Sequence, residues 1–160
     1  MRVGLRKLLV VGSASTLVGC TAAPATADRP GTMPLLPAGY SWAQNPALPP
    51  GGQLAALAGN PQAPGLYAFR ALIPADLRIM PHTHPEDRIY TVLVGTWYIG
   101  LGAEYDPARL QGFGPGSVYV LPAGTAHVHW ARGGRAVVQV TGIGPTATTY
   151  LRPEDDPRNR

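Results

Sequence analysis

An all-β fold is predicted for this 160-residue chain by three features of its sequence. Twenty glycines and eighteen prolines are far more than long helices tolerate, and they suit short strands joined by tight turns. Seven to nine short apolar or alternating runs recur at intervals of roughly 8–12 residues, the spacing of a sandwich or barrel. No stretch shows the 3.6-residue apolar period over the roughly 12 residues that a helix needs. The length leaves room for one core.

In chain order, residues 1–19 read as an export signal. Arg2, Arg6 and Lys7 precede an apolar run over 8–19 that is too short to span a bilayer. Leu17-Val18-Gly19-Cys20 resembles the bacterial lipobox, which implies cleavage before Cys20 and diacylglycerol on its sulfur. Cys20 is the single cysteine of the chain. An ordinary signal cleaved near Ala22-Ala23-Pro24 is the alternative, and it would discard that cysteine. The expected location is the cell envelope, with the chain anchored to a membrane through lipidated Cys20. Thr21 in place of Asp implies, by the lipoprotein rule, the outer membrane where there is one.

Residues 20–50 form a Pro/Ala-rich tether with prolines at 24, 30, 34, 37, 46, 49 and 50, interrupted by Tyr40 and Trp42, which are expected to dock on the domain. The barrel is expected over 51–152. Its runs are 66–73, 77–80, 89–94, 97–101, 117–121, 126–131, 135–141 and 146–151, with 53–57 assigned to strand because Gly pairs and Gly-Asn-Pro flank it. Residues 153–160 form a polar tail, expected to fray.

Charge argues against nucleic acid. The formal net charge is +4, but with Arg2, Arg6 and Lys7 set aside ten Arg face nine acidic residues, and no Lys follows Lys7. That is too little to build a phosphate-binding face. Gly112, Gly114 and Gly116 lack the following helix that a nucleotide-binding loop requires.

The four histidines form two His-x-His pairs, His82-Thr83-His84 and His127-Val128-His129. On a strand, residues two apart project to one face about 6–7 Å apart, near enough to share an ion. Two such pairs on facing strands direct three or four imidazoles to one point. A hydrogen-bonded polar cluster lining a pocket is the competing reading.

Two windows resemble the cupin superfamily. Gly116, Pro122, Gly124 and His127 match the spacing of its second motif, G-x5-P-x-G-x2-H, with Ala131 where Asn is common. His82, His84 and Gly95 match its first, preceded by Pro81. The resemblance covers residues 57–140. It implies a double-stranded β-helix, a jelly-roll-like barrel in a single domain, with His82, His84 and His127 as metal ligands. Arg88 stands where the family places a Glu ligand. Glu86 or Asp87 could replace it, although alternation from Gly95 puts Asp87 on the outer face. His129, on the face of His127, is the other substitute.

A histidine-rich set suits a divalent transition metal: Zn, Fe, Ni, Mn or Cu. Arg88 reads either as an inward fork for an anionic ligand or as a structural residue that pairs with Glu86 or Asp87, or snorkels to the rim. Tyr90 shares its face and is a second candidate for binding a ligand. The expected function is therefore a metal-binding envelope protein that acts on or binds a small, anionic organic molecule. Dioxygenase, isomerase and lyase chemistry are all open, as is a non-catalytic binding or sensing role. A homodimer is expected by analogy with the family.

Overall fold

The computed structural model describes residues 41–160. Among them eleven strands form two antiparallel sheets. In the first, β1 (Ala43–Gln44), β2 (Gln53–Ala58), β3 (Gly65–Ile73), β10 (Ala136–Gly144), β5 (Arg88–Val94) and β8 (Val118–Leu121) lie side by side in that order. The second is ordered β11 (Thr149–Tyr150), β4 (Arg78–Thr83), β9 (His127–Trp130), β6 (Trp97–Leu101) and β7 (Gln111–Phe113). The double-sheet, jelly-roll arrangement is the one expected.

The core lies between the sheets and follows the alternation of the strands. On β3 the buried side chains are Tyr67, Phe69, Ala71 and Ile73, and on the neighbouring strand β10 Val138 and Val140 lie beside Ala71 and Phe69 on the same inner face. Gln139, between the last two, points outward with Val137 and meets Arg70 across the strand pair.

Three features depart from the expectation. The sheet starts before residue 51: Ala43 and Gln44 pair with Leu54 and Gln53, and the Tyr150 hydroxyl donates to Ala47 O at 2.9 Å, fastening this segment to the barrel. β7 gives no periodic signal because it is three residues long. The tail is not frayed: residues 153–155 and 157–159 are 3-10 turns, Asp156 caps the second by accepting from Arg158 N, and the Arg158 guanidinium donates to Asp156 and, at 3.0 Å, to Thr148 O.

Two glycines fix the bends that bring the histidines together. Gly95 has φ +73, and a Cβ there would lie 2.1 Å from Arg135 O, so only hydrogen fits between the end of β5 and the start of β10. Gly124 has φ +71, and its N–H donates to His84 O at 2.8 Å. The Pro122–Gly124 turn therefore rests on the other histidine window. Asp87 holds the same turn, accepting from Ala123 N at 2.7 Å; it is exposed, on the outer face that parity predicts.

Candidate metal centre and cavity

β4 and β9 deliver the histidines. His82 is the direct cross-strand partner of His127, and their rings lie 4.1 Å apart, centre to centre. The register slips between Ile79 and His82, at Met80-Pro81. Proline has no N–H to give the ladder, and the bulge lets Ile79 and His82, three residues apart, both face inward. On β9 simple alternation sends His127 and His129 inward, 4.7 Å apart.

All four imidazoles are buried, and their surroundings fix the proton positions. His82 Nδ1 lies 2.7 Å from Met80 O, His84 Nδ1 2.7 Å from Ala147 O, and His127 Nδ1 2.9 Å from Thr125 O. A carbonyl only accepts, so each Nδ1 carries hydrogen and each Nε2 keeps its lone pair. His127 Nε2 and both ring nitrogens of His129 are buried and make no hydrogen bond of normal geometry among the described residues, although the Tyr98 backbone lies close enough to His129 to act weakly on it. Such unsatisfied buried polar atoms are costly unless something fills the space between them. Burial holds all four rings below the ordinary histidine pKa, with His127 lowered to about 4. They stay neutral, as metal ligands must be.

The ligating atoms of His82, His127 and His129 all lie within 4.8 Å of one another. A single ion at about 2.1 Å from each nitrogen draws them to within about 4.2 Å, a small side-chain adjustment. Neutral imidazoles with free lone pairs fit a divalent transition metal. His84 stands beside this trio, its ring 4.8 Å from that of His82 and 5.1 Å from that of His127. Its Nε2, however, faces Arg88 Nη1 at 3.0 Å.

Arg88 does not snorkel to the rim. It is buried, and its Nε donates to Glu86 Oε1 at 2.6 Å. Its other nitrogens reach His84, Thr146 Oγ1 and, at 3.5 Å, the Tyr90 hydroxyl. Glu86 Oε1 also accepts from Tyr67 at 2.6 Å and from Thr146. Sequence reasoning missed Tyr67 and Thr146. Tyr67 lies inward by parity on β3, but nothing local marks Thr146, 60 residues from Glu86. Burial and the bond to Glu86 raise the Tyr67 pKa to about 12, and burial raises that of Tyr90, so both remain protonated donors.

Above the histidines lies a cavity of about 450 Å³. Leu48, Leu54, Phe69, Ile79 and Val140 make its apolar wall; His82, His84, His129, Arg88, Tyr90 and Thr146 give it one polar end. Trp97, stacked 4.6 Å from His129 with its indole N–H donating to the Tyr119 hydroxyl at 3.1 Å, closes the floor.

The described residues thus form a small antiparallel barrel with an inward histidine cluster at one end of an apolar cavity. Residues 64–151 match the family model described as Cupin, more than half of the chain, and the chain belongs to that family. Comparison with curated proteins finds no match.

Among solved structures, the polyketide cyclase RemF from Streptomyces resistomycificus superposes with a TM-score of 0.65 at 17% identity, over 79% of this chain and 90% of that one. KdgF from Halomonas sp. gives 0.54 at 21% identity, over 75% and 94%. The DMSP lyase DddQ from Ruegeria pomeroyi DSS-3 gives 0.58 at 23% identity, over 73% of this chain and 64% of that one. At these identities the likeness shows the shared fold.

Proposed function

We propose that this cupin holds one divalent transition metal ion on His82, His127 and His129 and acts on a small, largely apolar organic molecule that reaches the metal through an oxygen atom. The observation that carries the reading is the set of buried, unpartnered ring nitrogens converging beside the cavity. When bound, the metal supplies a Lewis acid with positions left open by three protein ligands. The chain's own residues shape the rest. Apolar walls exclude water, while the protonated Tyr90 hydroxyl and Arg88 flank the polar end, where a ligand oxygen would accept hydrogen bonds. The charge of Arg88 is already balanced by Glu86, so the ligand need not be an anion. Catalysis is the preferred reading because relatives of this fold are named as a cyclase and a lyase. A purely binding role is favoured by one feature: Arg88, not a carboxylate, stands in the family's Glu position.

Elemental analysis of the purified protein tests the metal. About one transition metal per chain is expected, lost in His127→Ala. Metal-free protein that takes up no Zn2+, Fe2+, Ni2+, Mn2+ or Cu2+ would overturn the proposal. Turnover of a panel of small cyclic enols and carboxylic acids by the loaded protein separates enzyme from binding module.

We also propose export to the cell envelope and lipid anchoring at Cys20, on the strength of the basic start, the apolar run and the lipobox-like Leu17-Val18-Gly19-Cys20, all outside the described residues. No helix among the described residues is long and apolar enough to cross a membrane. Mass spectrometry of detergent-extracted protein should find a diacylglyceryl thioether, absent from Cys20→Ser. For a homodimer, the outer face of the first sheet is the surface we favour. Leu66 pairs with Ile143 and Ile89 with Val120 across it, all exposed, and Arg70 is the one charged side chain among the outward residues of β3, β10, β5 and β8. Light scattering should then give twice the chain mass, falling to one in Val120→Asp.

A further inference from the structure

Arg88 decides how many histidines the metal sees. We infer that it is a positioning residue that occupies the lone pair of His84 and so keeps this imidazole out of the coordination sphere. The inference rests on the three-histidine metal reading above and extends it.

The chemistry is a count of lone pairs. A neutral imidazole has one nitrogen lone pair to give, to a metal or to a hydrogen-bond donor, and never to both at once. His84 Nδ1 is committed as donor to Ala147 O at 2.7 Å, so the lone pair is on Nε2. That nitrogen lies 3.0 Å from Arg88 Nη1, a group that only donates. His82 and His127 have the same tautomer, fixed by Met80 O and Thr125 O, but among the described residues no guanidinium or other side-chain donor meets their Nε2, nor either nitrogen of His129. Each of the four rings thus lies within about 6 Å of at least two others, and Arg88 separates one of them from the other three.

Arg88 is itself immobilised. Glu86 Oε1 holds Nε at 2.6 Å, Thr146 takes Nη2, and Tyr67 fixes Glu86 from the far side at 2.6 Å. A guanidinium clamped at its two other nitrogens cannot swing away from His84 without stranding a buried carboxylate. The residue at the family's Glu position therefore limits the ion to three protein ligands and leaves positions for an incoming molecule. Remove the guanidinium, and the His84 lone pair is free within reach of the same centre.

Nitrogen-15 NMR of the histidine rings, on full-length protein with Zn2+ as probe, reads this directly. His84→Gln assigns the His84 signals. In wild type, one equivalent of Zn2+ should move a ring nitrogen of His82, His127 and His129 to the metal-bound range and leave His84 Nε2 at its hydrogen-bonded value. In Glu86→Gln/Arg88→Met, which removes the ion pair as a unit, His84 Nε2 should move as well. Zn2+ affinity should rise by about tenfold or more, a gain that His84→Gln abolishes.

A wild-type His84 Nε2 that shifts with the other three refutes the inference. So does a folded double variant in which it does not shift. If the double variant does not fold, the wild-type spectrum decides alone. If no ring nitrogen responds to Zn2+, the metal proposal itself has failed, which is a different result from His84 responding with the rest.

Discussion

Acid should unfold the metal-free protein over a narrow range, and four buried imidazoles set the size of the effect. Burial lowers the pKa of His82, His84, His127 and His129 below the ordinary 6.5, and neighbouring charge adds to it at all four. For His127 the value is about 4. In the unfolded chain each ring takes a proton near pH 6.5. Below that pH the folded state binds fewer protons, so stability is full above pH 6.5 and falls as the pH drops toward the folded values. The interval from 6.5 to about 4 at His127 is worth about 3 kcal/mol. At pH 5.5 each ring that remains neutral costs about 1.4 kcal/mol, and four cost about 5–6 kcal/mol, comparable with the whole stability of a small domain. Urea unfolding followed by tryptophan fluorescence, on chelator-treated protein at pH 7.5, 6.5 and 5.5, gives the slope. His129→Leu should reduce it by about one proton's share, 1.4 kcal/mol per pH unit. A stability that changes by less than about 1 kcal/mol between pH 7.5 and 5.5 would refute the reasoning that these rings fold as buried neutral groups.

From pH 7.5 to 6.5, where the metal-free protein is still folded, Zn2+ affinity should vary by less than about threefold because the folded ligands hold no proton to displace, and calorimetry in buffers of different ionisation heat should find almost no proton release; below that range affinity should fall as acid unfolds the metal-free chain. On β3, Ile73→Ala should cost about 2–5 kcal/mol in chemical unfolding, whereas Leu101→Ala, at the end of β6 in the other sheet and 60% exposed, should cost within about 0.5 kcal/mol. Gly95→Ala should cost more than about 1–2 kcal/mol, since left-handed backbone strain is joined by the collision with Arg135 O, and a fall in thermal midpoint checks it.

How far the sequence carried can be judged residue by residue. Period-two patterns located β3, β5 and β10, and the histidine pairs declared a shared face on β4 and β9, because both signals are local. Asp87 was placed outward by counting from Gly95, and the structure gives it the work of holding the Pro122–Gly124 turn. The two-residue β1 and three-residue β7 carry no period to read. The partners of Arg88 were only half legible. Glu86 is two residues away, but Tyr67 and Thr146 arrive from β3 and from the segment after β10, and only the folded sheet makes them neighbours. The distinction between His84 and His129 was beyond the sequence for the same reason. It turns on a contact with Ala147, 63 residues along the chain, and on which nitrogen is left with a lone pair.

Anomalous scattering at the absorption edge of the metal found by elemental analysis, from crystals of the protein as purified, asks the central question most directly. The account predicts one strong peak about 2.0–2.1 Å from a ring nitrogen of each of His82, His127 and His129, with His84 Nε2 still on Arg88. A peak coordinated by His84 in place of His129, or a cluster with no peak in crystals soaked with Zn2+, would contradict it.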